Sequence, residues 1–309
     1  MVSQEHRKTG MIDLTSPKQA SELLRSHGLR PQKRLGQNFL CDRNTLNRIV
    51  RAANLTSDDP VLEIGGGLGA LTLALAEISP LVTTVEIDLK LEPILREVTA
   101  DLPNVRLVFQ DFLRMNLEEA LDEAFGDKHG VVVANIPYYI TTPILDKLIE
   151  SKRRIKRIVL LVQHEFAQRM VAPPGADECG SFSLYAQYHA SVELIGVIPR
   201  TVFLPQPDVS SAIIALNPIS PGSIPVQNEE RMFYLIRSAF SQRRKTLLNA
   251  LLRAPASFGL GFTLEDRPAL EALLERAGID GTRRGETLSL TEYARISDSF
   301  DIIPAISET

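Results

Sequence analysis

Val61-Leu62-Glu63-Ile64-Gly65-Gly66-Gly67-Leu68-Gly69 is the stretch whose reading decides the fold. A short apolar run enters a cluster of glycines, and ALTLALAEI (70–78) follows with helical spacing. Glycines let a backbone turn tightly and come close to a ligand, and the helix behind them offers unpaired N–H groups at a positive dipole end. Gly65, Gly67 and Ala70 satisfy the GxGxxA form of the dinucleotide fingerprint. Glu86 stands 21 residues after Gly65, at the end of the apolar run LVTTVE (81–86). A carboxylate at the tip of the second strand accepts both ribose hydroxyls of a nucleoside. An adenosine-containing ligand is therefore expected, without deciding which one. Glu63 tips that choice, because a carboxylate just before the glycines is badly placed for a pyrophosphate and well placed for the amino group and sulfonium of S-adenosylmethionine. Asp111, ending the third run in VFQDF (108–112), is a candidate partner for the adenine amine; it reads equally as a helix N-cap before LRMNLEEAL (113–121).

Outward from the glycines, short apolar runs recur at PVLEIG (60–65), LVTTVEID (81–88), VRLVFQD (105–111), VVVANIP (131–137) and RIVLLVQ (157–163). Helical patterns such as LEPILREVTADL (91–102) separate them. Buried strands alternating with helices predict a doubly wound, parallel α/β sheet. SVELIGVIP (191–199) and SSAIIALNP (210–218) read as an antiparallel hairpin closing that sheet. Upstream, SPKQASELLRSHG (16–28) carries a capping Ser16, Pro17 at the first helical position and Gly28 as a stop, and a second helix is predicted from about Asp42 to Ala53. NPISPGSIPV (217–226) holds three prolines and is the predicted linker. Beyond it, EERMFYLIRSAFSQRRKTLLNALL (229–252) and RPALEALLERAG (267–278) show only helical periodicity. The expected division is an N-terminal extension and helix (1–30), a catalytic α/β domain (31–216), the linker (217–226) and a small all-helical domain (227–309).

At 309 residues and 44% hydrophobic, the chain is long enough for one large domain with an appendage or for two domains. Its two cysteines, Cys41 and Cys179, lie far apart without CxxC or Cys/His spacing, so no disulfide scaffold, zinc site or other metal is expected. His164-Glu165 begins a metalloprotease-like pattern whose fifth position is Gln168 rather than His. No apolar run approaches the ~20 residues that span a bilayer, and MVSQEHRKTG (1–10) has no apolar core of a secretory signal. A cytoplasmic protein that does not enter membranes is expected.

The sharpest chemical signal is Asn135-Ile136-Pro137-Tyr138, at the end of the run VVVAN. An exocyclic amine on an aromatic ring is a poor nucleophile because its lone pair is delocalised. The side-chain oxygen of Asn135 and a backbone carbonyl, that of Ile136, suit its two N–H groups and favour the pyramidal nitrogen of the transition state. Pro137 fixes the turn and adds no competing donor. Tyr138 supplies a flat face for an unstacked base.

These segments resemble the KsgA-type small-subunit ribosomal RNA adenine dimethyltransferases. LGQNFL (35–40), VLEIGGGLGALTLAL (61–75), VEID (85–88), QDFL (110–113), NIPYYITTPIL (135–145), VQHEFAQRM (162–170), FLPQPDVSSAI (203–213) and RSAFSQRRKTLLNAL (237–251) carry the resemblance, in family order. It implies a Rossmann-like, seven-stranded class I methyltransferase domain with a C-terminal helical domain, S-adenosylmethionine as methyl donor, and two adjacent adenines near the 3′ end of small-subunit rRNA as acceptors. It further implies a role in small-subunit biogenesis and a monomeric enzyme. On the resemblance, Asn38 and Leu40 cover the cofactor, Gly65 and Gly67 approach its amino-acid part, and Glu86 with Ile87 takes the ribose side. Asp111 and Phe112 take the adenine, Asn135 stands between cofactor and target amine, and Phe203 packs on the target base opposite Tyr138. Many relatives carry proline between the first two loop glycines, where this chain has Gly66. A large-subunit adenine methyltransferase of the macrolide-resistance type shares the superfamily, and a non-catalytic ribosome-assembly or transcription factor could share the fold.

A net charge of −4 argues against a polyanionic partner only in bulk. Residues 1–57 carry +6 and 151–250 carry +5, while 58–150 carry −11. Arg30, Lys33 and Arg34, then Lys152, Arg153 and Arg154, then Arg243, Arg244 and Lys245 form an expected RNA track.

Overall fold

The computed structural model describes residues 12–151, 154–220, 222–255, 257 and 262–302. Helix α1 (Pro17–Ser26) starts at the expected cap, with Ser16 accepting from the Gln19 backbone N–H, and Gly28 leaves it at φ +67°. A two-residue strand β1 (Phe39–Leu40) precedes helix α2 (Arg43–Ala53), whose N-cap Asp42 accepts from Thr45 N at 2.7 Å. The chain then alternates: β2 (Val61–Ile64), α3 (Ala70–Ala76), β3 (Val82–Glu86), α4 (Glu92–Val98), β4 (Val105–Phe109), α5 (Leu117–Phe125), β5 (Gly130–Asn135), α6 (Thr141–Glu150) and β6 (Ile155–Gln163). After α7 (His164–Val171) and α8 (Ser181–His189) come β7 (Ala190–Ile198), β8 (Phe203–Leu204) and β9 (Ser211–Pro218).

Seven strands form one sheet in the order β4-β3-β2-β5-β6-β9-β7. The pairs β2·β3, β2·β5, β3·β4 and β5·β6 are parallel. Residues Val131 to Ala134 of β5 are at most 1% exposed. A central strand covered on both faces reads as an unbroken apolar run, which is why no alternation appears there. β4 lies at the sheet edge and shows its charge outward, with Arg106 exposed. β2 has β3 on one side and β5 on the other, so the strand order reverses at β2, and ligands of such sheets bind outside the carboxyl ends at that point.

The expected hairpin of 191–199 and 210–218 is only half of what the chain does. β9 and β7 are sheet neighbours, but the segment between them carries β8, which pairs antiparallel with β1 in the register Phe39↔Leu204 and Leu40↔Phe203. Two short segments far apart in sequence, GQNFL and FLPQP, thus meet as a separate two-stranded ribbon.

The chain divides into two compact units: residues 1–164 with 195–215, and residues 165–194 with 216–309. The first holds most of the sheet. The second is helical, with α9 (Glu229–Phe240), α10 (Leu247–Leu252), α11 (Arg267–Arg276) and α12 (Leu290–Asp298) around Met232, Leu235, Leu247, Leu251, Leu270 and Tyr293. Tyr293 is fully buried and donates its hydroxyl to the Gly285 carbonyl at 2.9 Å. Residues 165–194 join this unit although they precede the proline-rich stretch. No described helix is long and apolar enough to cross a membrane, and Cys41 and Cys179 are buried free thiols.

Candidate functional site

A cavity opens at the carboxyl ends of β2, β3 and β5, within the first unit. It is lined by residues 35–40, 64–68, 85–87, 111–113, 135–140 and Phe203, among others. Gly65 enters it at φ +87°, and a Cβ there would lie 2.8 Å from the Asn135 carbonyl oxygen. The loop therefore passes as close to the end of β5 as a bare backbone allows. Gly67, at φ +56°, leaves room for the Phe39 ring, 3.2 Å from where its Cβ would stand. The Gly67 N–H donates to Glu86 Oε2 at 2.8 Å, and the Asp88 N–H donates to Glu86 Oε1 at 2.8 Å. These bonds aim the Glu86 carboxylate, which is 6% exposed and whose pKa burial raises. Each carboxylate oxygen keeps acceptor capacity for a hydroxyl.

The roof of the cavity is the 35–40 segment, which holds the expected Asn38 and Leu40. Its anchor escaped the sequence reading. Asp88 Oδ2 accepts from Gln32 Nε2 at 2.6 Å and from Gln37 Nε2 at 2.7 Å, and Gln37 Oε1 takes the Gln32 backbone N–H at 2.8 Å. The fourth letter of VEID thus clasps both glutamines of RPQKRLGQNFL. The signal available was an acid in VEID and two amides, one in LGQNFL and one just before it, with nothing in the spacing to join them.

Asp111 lines the cavity, and its Oδ1 caps the turn Phe112–Arg114 by accepting from Leu113 N at 3.0 Å, while the helix that follows takes Asn116 as its N-cap. Phe112 is buried and Ile87 is exposed, and both line the cavity. Lys147, on α6, was not foreseen. Its Nζ donates to the carbonyls of Phe112 and Leu113 at 3.0 Å each and of Met115 at 2.5 Å, and lies 5.4 Å from the Phe112 ring centroid.

At the other wall, Asn135 ends β5, half-buried, followed by buried Ile136 and by Pro137. Tyr138 is half-buried, and its hydroxyl shares a 2.6 Å hydrogen bond with Ser211 Oγ. Burial holds its phenol above the usual pKa. Phe203, 5% exposed, reaches the same cavity from β8, paired with Leu40. Two carboxylates, Glu86 and Asp111, the amide of Asn135 and the rings of Phe112, Tyr138 and Phe203 therefore line one space. Such a donor set fits a nucleoside carrying a cationic tail better than a pyrophosphate, since the described lining residues include no Lys or Arg.

Glu63 is the expected site residue that is not brought to this cavity. It is 0% exposed, and its Oε2 accepts from Thr72 Oγ1 at 2.6 Å and Thr84 Oγ1 at 2.7 Å. Strand alternation turns it away from the ligand face, between α3 and β3. Among the described residues no group of three His, Cys, Asp or Glu could hold a metal ion.

The basic runs divide. Arg30 and Arg34 are exposed, and Arg34 Nε also donates to Gln32 Oε1 at 3.1 Å. Lys33 stands in the turn Lys33–Leu35, its side chain outside the described set, and Lys152 and Arg153 lie outside the described residues. Arg154 is bound to Asp122 and to the Gly126 carbonyl. In the helical unit, Arg243 pairs with Glu286 at 2.7 Å and donates to the Asp177 carbonyl at 2.8 Å, whereas Arg244 and Lys245 are exposed.

The ribosomal RNA adenine dimethylase family matches residues 28–295. "Ribosomal RNA small subunit methyltransferase A" of Bacillus pumilus is 43% identical over 287 residues, covering 93% of this chain and 97% of that protein. The protein of the same name from Geobacillus thermodenitrificans is 42% identical, over 93% and 97%. Among solved structures, a dimethyladenosine transferase from Plasmodium falciparum is similar with a TM-score of 0.72 and 26% identity, over 85% of this chain and 97% of that one. The 23S rRNA methyltransferase ErmE is similar with a TM-score of 0.66 and 29% identity, over 85% and 100%.

Proposed function

The chain belongs to the ribosomal RNA adenine dimethylase family, and from that premise we propose that it dimethylates the N6 amines of two adjacent adenines near the 3′ end of small-subunit rRNA. Bound S-adenosylmethionine supplies a methyl group already activated on a sulfonium. The observation that carries the reading is the meeting, in one cavity, of the Gly65 to Gly67 loop and Glu86 with Asn135 and Tyr138. Glu86 and Ile87 hold the ribose side of the cofactor, Asp111 and Phe112 its adenine, Gly65 and Gly67 leave room for its amino-acid end, and Asn38 and Leu40 cover it. The Asn135 side-chain oxygen and the Ile136 carbonyl accept the hydrogens of the target amine, Pro137 keeps the turn free of a competing donor, and Tyr138 and Phe203 confine the base. Proton removal needs no dedicated base, since the product ammonium is acidic enough to release its proton to water.

On the same reading the enzyme works as a cytoplasmic monomer on the assembling small subunit, and its helical unit contributes to rRNA recognition. The test is mass mapping of modified nucleotides in small- and large-subunit RNA, with and without the protein. N6,N6-dimethyladenosine at two neighbouring small-subunit positions is expected; a large-subunit product, or none, overturns the assignment. Asn135→Ala should abolish turnover while cofactor affinity stays within about tenfold, and a fully active variant removes Asn135 from the chemistry.

A further inference from the structure

Tyr139 is 65% exposed, an unusual place for an aromatic ring at the rim of a cavity it helps to line. It shares the turn Tyr138–Ile140 with Tyr138, yet the two rings have different surroundings. Tyr138 is tied inward to Ser211, while most of the Tyr139 ring is open. The ring is not loosely held at its base. Pro137 fixes the turn, the Ile140 N–H donates to the Pro137 carbonyl at 3.2 Å, and α6 begins at Thr141. Gly36 of the roof presses against the same turn at φ +61°: a Cβ there would stand 2.9 Å from Pro137 Cβ and 3.4 Å from Tyr139 Cε1. The roof backbone thus runs close beside the turn and one edge of the ring, while most of the ring is left open. Exposed Arg34 lies two residues before Gly36, a cation just ahead of the roof segment.

Two adjacent adenines served by one cavity impose a geometric demand. While one base is inside, the other is held one nucleotide away, outside the slot and unpaired. An open aromatic ring on a fixed turn, on the residue after Tyr138, answers that demand, because stacking holds any base without reading its edges. We propose that Tyr139 is the stacking platform for the adenine next to the one being methylated, a second purine subsite at the cavity mouth. This rests on the dimethyltransferase reading above.

The test compares Tyr139→Ala and Tyr139→Phe with the unaltered protein on undermethylated small subunits. Tyr139→Ala should raise KM for subunits about tenfold, leave kcat and the affinity for S-adenosylmethionine within about twofold, and lower the fraction of subunits modified at both adenines. Tyr139→Phe, which keeps the ring, should restore both the KM and the product pattern. A normal KM and product pattern in Tyr139→Ala overturns the subsite. So does a Tyr139→Phe variant as poor as alanine, which makes the hydroxyl the contact, or a loss confined to cofactor affinity. If the unaltered protein leaves small subunits unmodified, the failure belongs to the dimethyltransferase reading instead.

Discussion

Between β2 and β3, the carboxyl group of Glu63 is gripped by two threonine hydroxyls on Oε2, and its Oε1 has no hydrogen-bond partner. Burial pushes its pKa up to about 8, against 4.5 for an ordinary glutamate, and the nearby Glu86 adds to the rise. The consequence for stability follows from proton counting. Below about pH 4.5 the group is protonated whether the chain is folded or not. Between there and about pH 8 the folded chain keeps a proton that the unfolded chain releases, so stability falls as pH rises, by at most about 1.4 kcal/mol per unit. Glu63→Gln keeps an acceptor for both hydroxyls and cannot titrate. Its urea-unfolding free energy relative to the unaltered protein should therefore improve steadily from pH 5 to pH 8; a constant difference would mean that Glu63 folds ionised. The same threonine limits Gly66. A Cβ at 66 would stand 2.5 Å from Thr84 Cγ2, so no larger residue fits here unless Thr84 gives way.

At the scale of elements, α6 joins the two halves of the site. Its N-terminus continues the Asn135 to Ile140 turn, and its Lys147 gathers three carbonyls of the 112–115 turn. A charged donor shared among carbonyls is worth more than neutral bonds, and removing it strands the acceptors. Lys147→Met should loosen the Asp111–Leu113 turn and weaken S-adenosylhomocysteine binding about tenfold by calorimetry. Unchanged affinity would show that the turn stands without it. Elements of this kind mark the boundary of what the sequence discloses. The parallel strands, the cap at Ser16, the start of the second helix near Asp42, and the cluster of Gly65, Glu86, Asp111 and Asn135 were legible because each depends on local spacing and on the rule that ligands gather at strand ends. The β1–β8 ribbon, the Asp88 clasp on Gln32 and Gln37, and Lys147 were not, because each joins segments with no periodic relation. The burial of Glu63 was not legible for a related reason: its letter announces a carboxylate, while its partners Thr72 and Thr84 come from a helix and a neighbouring strand.

For the whole molecule, the electrostatic argument changes once ion pairs are known. Net charge of −4 hides basic flanks, but part of each flank is spent internally: Arg43 on Asp13 in the first, and Arg154 on Asp122, Lys156 on Asp59 and Arg243 on Glu286 in the second. Arg243 also holds the Asp177 carbonyl, so its replacement would strip a partner from Glu286 within the helical unit and confuse loss of fold with loss of binding. Arg244 and Lys245 are exposed and are the cleaner probes. Each cation that meets a phosphate releases condensed counterions, which makes log K fall with log salt by about 0.7–0.9 per contact. A double Arg244→Ala/Lys245→Ala variant should therefore bind undermethylated small subunits more weakly at low salt, with a salt slope shallower by up to about 1.4–1.8, while its urea midpoint stays put. Weaker binding with an unchanged slope would mean that the two residues act on the subunit's shape rather than its charge. An unchanged affinity would shift the test to Arg30 and Arg34, the exposed cations just ahead of the 35–40 segment.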